Sequence, residues 1–438
     1  MTPILMRATA VLATLLAFVC GLQAQDRLTL RQFVDEAVRS SPALEIAGEA
    51  VAGAELKVQE AKSLYYPQVN FASSYTRLSL VSKFSFPIEG KMQEFKFVSP
   101  NNYSFRLSAS EPLFTWGRIE KAVELSKAGV ALSQDNVALA RQALAYQVVP
   151  IFYGVLFSDE TLKVLDETLG LFERKLATLE ERYKAGIASD FEISLVQVQI
   201  SSLHGQQLDI RNSVRKLMMT YNRIAGRPLD REFVCDGELR FEPVAADAQA
   251  LAREAAAQRI EYRLLRNQKA LVQTQMALAK TANKPNLVAA FNYEFKNGFM
   301  PNIDTIRGNW NAVLAVSYPV FDGQRTAAQV AQSEVALRTV EEQEADVRRS
   351  FELDIRQGLA DLKTIEDKIG IERLKIEHAA KAFKISEERY QNGLLSMTDL
   401  IETQNALDAA RLNLLQLIYS HILGKFGLDR AAGRAIHS

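Results

Sequence analysis

The chain has 438 residues, enough for two or three ordinary domains, and Lys plus Arg equal Asp plus Glu at 52 each. With no basic excess to build a basic face, it argues against a nucleic-acid partner. Two cysteines (Cys20, Cys235) and four scattered histidines (204, 378, 421, 437) exclude a disulfide framework and any Cys-spaced metal site.

Residues 1–24 read as a secretory signal peptide. Arg7 precedes a short apolar core from Ala8 to Val19, and Ala24 suits the cleavage point. That core is too short to span a membrane. Cys20 raises the alternative of a lipid anchor, but the AFV before it fits that processing site poorly. No later run reaches 18 apolar residues, so no transmembrane helix is expected.

Residues 25–227 form a first expected repeat. Its order is a helix, strands over ~67–80 and ~102–111, a long helix over ~115–183, a tip over ~184–190 and a helix over ~191–225. Between the strands, 82–100 reads as a turn-prone loop. Residues 228–246, bounded by Pro228 and Pro243, read as a short irregular connector. Residues 247–430 repeat the order, with a helix, strands over ~286–296 and ~309–318, a long helix over ~323–390, a tip over ~391–397 and a helix over ~398–426. Residues 431–438 form a tail.

The repetition is visible residue by residue. ERYKAGIAS (181–189) returns as ERYQNGLLS (388–396), and EPLFTWGR (111–118) as YPVFDGQR (318–325), both 207 positions on. AKSLYYPQVNFASSY (61–75) pairs with AKTANKPNLVAAFNY (279–293) at an offset of 218, so the first copy carries eleven extra residues within 82–100. Such a duplication implies two similar structural units.

The strands alternate. Tyr103, Phe105, Leu107 and Ala109 oppose Asn102, Ser104, Arg106, Ser108 and Ser110. Leu287, Ala289, Phe291, Tyr293 and Phe295 oppose Asn286, Asn292 and Glu294, and Trp310, Ala312, Leu314 and Val316 oppose Asn309, Asn311 and Ser317. Val69, Phe71 and Tyr75 oppose Gln68, Asn70, Ser74 and Thr76 less regularly. A period of two gives one apolar and one wet face. About ten residues is the length of a tilted membrane strand, and aromatic residues cluster near the ends, as at the two interfaces of an outer membrane. A soluble sheet packed on a helix would explain one such strand. Four of them, beside helices too long to cover them, favour the membrane. Four strands cannot close a barrel, since barrels start at about eight. An open edge in lipid costs several kcal/mol per unpaired group. Copies must therefore share one barrel: three give twelve strands, two give eight.

Pro112 to Gly186 and Pro319 to Gly393 both span 74 residues. A helix of about 65–70 residues extends roughly 100 Å. Leu162, Leu165, Leu169, Phe172, Leu176, Leu179 and Tyr183 step by three and four, and Val196, Ile200, Leu203, Ile210, Val214, Leu217 and Tyr221 continue after the turn, with Gln207 the polar exception. This predicts an antiparallel coiled-coil hairpin. The second copy keeps Ile369, Ile376, Phe383 and Tyr390 but places Glu372, Ala379 and Ser386 between them, which predicts a wetter, looser seam. Pro150 predicts a bend within the first long helix.

The duplication, the strand pairs opening at Pro67 and Pro285 and closing at Pro112 and Pro319, SPAL (41–44) and the two Tyr-x-x-Gly-[Ile/Leu] tips together resemble the TolC-like outer-membrane efflux and secretion proteins of Gram-negative bacteria. The resemblance covers about 28–430. It implies mainly α structure with a membrane β-barrel. It also implies a homotrimer with four strands per protomer in a shared twelve-stranded barrel, above a helical tube that reaches into the periplasm. The implied function is passive conduction from a periplasmic adaptor (membrane fusion) protein and an inner-membrane pump of RND, ABC or MFS type, across outer-membrane lipid, to the exterior. The tips that dock the adaptor would be Gly186, Ile187, Gly393 and Leu394. Asp399 and Glu402 would line the closed entrance, and Tyr390 would bond Glu192 to hold it shut. Some members use an Arg shortly after the second tip's Gly; Leu395 stands there. No nucleotide loop, Gly-x-Ser-x-Gly, His-Glu-x-x-His or metal cluster appears, so no enzyme and no cofactor are expected. A periplasmic coiled-coil scaffold without a pore is the alternative; it leaves the four strands unexplained.

Overall fold

The computed structural model describes residues 26–436, so the expected signal peptide and Cys20 lie outside the described residues. The chain forms two compact units, and each draws on both expected repeats. The first takes Met1–Gly48, Asn136–Tyr262 and Ala345–Ser438, so far as these are described; the second takes Glu49–Asp135 and Arg263–Glu344.

In the first unit, β1 (Asp26–Leu28) leads into α1 (Leu30–Ser40). Ser41 precedes Pro42, whose ring disfavours helical geometry in the residue before it. Ser41 is accordingly extended, at φ −69° and ψ 120°, before α2 (Pro42–Ser63) starts. The one helix expected here is thus two. The second repeat breaks at the equivalent place without a proline: α5 (Ala248–Gln258) and α6 (Ile260–Ala279) flank Arg259, extended at φ −67° and ψ 133°. There the side chain does the holding. The Arg259 guanidinium pairs with Glu261 at 2.6 Å, donates to the Ala431 carbonyl at 3.2 Å and lies 3.3 Å from the centre of the Phe351 ring.

Two helices of 67 residues each dominate the chain, α3 (Arg118–Lys184) and α7 (Arg325–Gln391). Each turns at a tip into its partner, α4 (Asp190–Ile224) or α8 (Met397–Ala432). α3 stays helical through Pro150, whose carbonyl accepts from Tyr419 Oη at 3.3 Å. α8 runs past its expected end near 426 and ends on Gly433, a left-handed cap at φ 78°. Above the first hairpin, Phe33 stacks on Tyr221 at 3.6 Å, with Phe152 and Phe233 edge-on at 5.4 and 5.5 Å. Each buried aromatic stabilises by about 1.5–3 kcal/mol. Phe233 belongs to β6 (Phe233–Cys235), which pairs in parallel with β1. The connector expected to be irregular therefore carries a strand. Three residues that find their partner so far upstream leave no local period to read.

The first seam forms as expected. Leu165, Phe172, Leu179, Val196 and Leu203 are buried together, with Leu169, Leu176, Ile200 and Ile210 beside them. Gln207 is buried too, and its amide donates to Asp166 Oδ1 at 2.7 Å.

In the second unit, β2 (Gln68–Arg77), β5 (Asn101–Phe114), β7 (Asn286–Lys296) and β8 (Arg307–Ser317) form one antiparallel sheet in the order β2-β5-β7-β8. The register sets like against like. Phe71 faces Leu107, Phe105 faces Phe295, Leu107 faces Tyr293, and Tyr293 faces Trp310. On the other surface Arg106 pairs with Glu294 at 2.8 Å and Asn292 donates to Asn311 at 2.9 Å. Much of the apolar surface stays exposed, with Phe71, Leu107, Phe291, Trp310, Leu314 and Val316 all open. The outer edges of β2 and β8 have no strand partner among the described residues. The loop expected over 82–100 is instead an antiparallel hairpin, β3 (Lys83–Ile88) with β4 (Lys91–Lys96). Its two-residue turn is Glu89 and Gly90, both at positive φ, the geometry that a tight hairpin needs. Among the described residues no helix is long and apolar enough to cross a membrane.

Candidate functional site

Both tips are built alike. Gly186 and Gly393 sit at φ 76° and 71°, a left-handed geometry that glycine adopts without steric penalty. Ile187 N donates to Arg182 O at 2.8 Å and Leu394 N to Arg389 O at 2.9 Å, closing the last helical turn in a Schellman arrangement. The next helix then opens with a capping box. Ser189 Oγ accepts from Glu192 N while the Glu192 carboxylate accepts from Ser189 N, and Ser396 and Asp399 do the same. Ile187 and Leu394 stand at the apices, 78% and 76% exposed.

The first unit brings Tyr390 and Glu192 together: Tyr390 Oη donates to Glu192 Oε1 at 3.4 Å, a long bond. Burial, then the Glu192 charge, pushes the Tyr390 phenol up to about 12. Glu192 thus serves two partners, its own cap through Oε2 and Tyr390 through Oε1. Asp399 is engaged locally, accepting from Ser396 Oγ at 2.6 Å. Glu402 lies one turn further on the same helix, exposed. Leu395 is half-buried.

Further contacts join the hairpins, and none was expected. Lys175 pairs with Glu387 at 2.9 Å, Gln199 donates to Asn405 at 2.9 Å, and Arg411 reaches Glu167 at 3.5 Å. Another is buried. Thr168 Oγ1 donates to Asp408 Oδ2 at 3.0 Å, and the Gln404 amide donates to Asp408 Oδ1 at 2.9 Å. Burial raises the Asp408 carboxyl, while the Gln404 and Thr168 hydrogen bonds pull it back. Gln404 Oε1 has no partner. The members of this cluster lie too far apart in the chain for spacing to reveal them. The capping boxes, also unexpected, do carry a local signal, Ser-x-x-Glu and Ser-x-x-Asp at the start of each helix. Among the described residues no group of side chains could hold a metal ion.

A sheet with an exposed apolar face and a polar face, together with two hairpins of long helices, defines the fold of a membrane-channel class. The family model for outer membrane efflux protein matches residues 33–220 and 251–434. The pyoverdine export outer membrane protein OpmQ of Pseudomonas aeruginosa is 23% identical over 341 residues, 76% of this chain and 70% of that protein. The cation efflux system protein CusC of Escherichia coli is 20% identical over 420 residues, 92% and 87% of the two chains. The crystal structure of the Campylobacter jejuni CmeC outer membrane channel superposes with a TM-score of 0.72 at 16% identity, covering 92% and 85%. The chain belongs to the outer membrane efflux protein family, a family of transport channels. It is an outer-membrane exit duct for efflux that extends into the periplasm.

Proposed function

We propose that three copies of this chain close one twelve-stranded barrel and one helical tube, and that the duct passively receives substrate from a periplasmic adaptor and an inner-membrane pump. The observation that carries the reading is the four-stranded sheet whose two outer strands have no second strand partner among the described residues. In lipid, each unpaired backbone group costs several kcal/mol, and only neighbouring copies supply the missing partners. Residues 25–227 and 247–430, joined by 228–246, serve as the two repeats, so each copy contributes two hairpins. Pyoverdine and cations, the cargoes in two relatives' names, differ in chemistry. That supports a duct whose cargo is chosen by its partners.

The tips dock the adaptor through Gly186, Ile187, Gly393 and Leu394. Large apolar side chains this exposed at two matched turns favour a covering partner. Asp399 and Glu402 from three copies place six carboxylates around the entrance, and Tyr390 with Glu192 ties the hairpins there. Outer-membrane preparations should hold detergent-resistant trimers that pass current in planar bilayers; monomeric, water-soluble material without current would sink the reading. Charged residues at both Ile187 and Leu394 should abolish export while trimers persist. Neutralising Asp399 and Glu402 together should weaken cation selectivity and block by multivalent cations.

A further inference from the structure

A cavity of about 970 Å³ in the second unit lies where the sheet meets the long helices. Arg118, the first residue of α3, and Arg325, the first of α7, both line it. They occupy the same position in EPLFTWGR and YPVFDGQR. No carboxylate lines the cavity. Among the described residues neither arginine has an ion pair within 4 Å. Asp322, three residues before Arg325, does not line the cavity and caps α7, accepting from Thr326 N at 3.0 Å. Arg325 interacts electrostatically with Asp322 from outside the lining, yet the lining itself holds two arginines and no carboxylate in a chain whose acids and bases balance. The remaining polar lining is amide and hydroxyl, including Gln275, Gln329 and Gln332.

This chemistry suits a phosphate. Guanidinium groups bind phosphate oxygens in a bidentate way, and neutral amides fill the remaining acceptors. Leu64, Ile119 and Leu278 add an apolar wall of the kind a glycerol backbone needs. The level in the fold points to lipid. Trp116, Tyr318 and Phe321, all exposed, shortly precede the arginines in sequence, and such aromatics mark a membrane interface. The same two helices end at the tips, so this interface is the periplasmic one. We propose that Arg118 and Arg325 bind the phosphate of an anionic phospholipid head group from the periplasmic leaflet. The lipid source rests on the outer-membrane reading; the site does not rest on the trimer, because one chain supplies the whole lining.

The test uses the full-length protein, with phosphatidylglycerol, phosphatidylcholine and inorganic phosphate as probes and native mass spectrometry as the readout. The wild type should retain phosphatidylglycerol over phosphatidylcholine by roughly tenfold. Arg118→Gln with Arg325→Gln should erase that preference, and Arg118→Lys with Arg325→Lys, which keeps the charge, should retain part of it. No preference in the wild type, or an undiminished one in the Gln variant, overturns the site. Should the Gln variant not assemble, a Lys variant with undiminished preference overturns the guanidinium assignment. Inorganic phosphate that displaces the lipid at equal concentration overturns the lipid source. Current through bilayers, recorded for the same samples, reports separately on the duct.

Discussion

The two hairpins have outer helices of equal length and tips of the same chemistry, yet their seams differ. In the first, Leu165, Phe172 and Leu179 are buried against Val196 and Leu203. In the second, Ile369 is buried but Glu372 is buried beside it, paired only with the more exposed Lys375 at 3.1 Å. Below Glu372 no residue of α7 is fully buried. The tip tyrosines differ in the same way: Tyr183 is 50% exposed, whereas Tyr390 packs among the first hairpin's leucines and reaches Glu192. The first hairpin is thus stabilised by its own seam, and the lower second hairpin by contacts to its neighbour. The second is therefore the hairpin with the weaker seam of its own.

The largest test of that contrast is in the seams. Phe172→Ala should destabilise by about 3–5 kcal/mol, and Ile376→Ala, only half-buried, by less than about 2 kcal/mol. Denaturant midpoints of the purified protein measure both, and equal losses would remove the asymmetry. Next comes the buried Asp408. Its carboxyl is raised in the folded state, so it favours folding most below its ordinary value of 3.8 and progressively less as pH rises. Asp408→Asn should therefore raise the melting temperature at pH 8 and lose that advantage towards pH 4. A loss at pH 8 would mean that the ionised form is the stabilising one.

Tyr390→Phe removes one long hydrogen bond, worth about 0.5–1.5 kcal/mol, and should raise channel opening several-fold. Because the phenol is raised from 10 to about 12, the tie should hold through neutral pH and fail between those values. Adding Glu192→Ala should enlarge the openings further, since it also removes a cap. The smallest effect is at the caps. Ser189→Ala and Ser396→Ala should each cost about 1 kcal/mol, nearly equally, if the tips are equivalent.

What was legible followed local period and turn chemistry. Tyr103 to Ala109 and Leu287 to Phe295 alternate cleanly, and the sheet register then matched those faces. Gly186 and Gly393 announced the tips because a left-handed turn leaves few alternatives. The β3–β4 hairpin was missed although Phe84 and Phe86 alternate and Glu-Gly forms the turn, since Pro87 and the surrounding polar residues read as loop. The Arg259 break has no proline to signal it and depends on Glu261, Ala431 and Phe351 in place. At the site, Tyr390 and Glu192 were named by resemblance. The Thr168–Asp408–Gln404 cluster was out of reach because only packing brings its members together.

The bare edges of β2 and β8 also have a genetic consequence. A subunit with a proline in the middle of β8 would still enter assemblies through β2 and leave a gap in every ring it joins. If such a chain were produced alongside an equal amount of the normal one, roughly one in eight of the proposed trimers would be free of it. A defect at this seam should therefore behave as dominant, while loss of the whole gene copy should not.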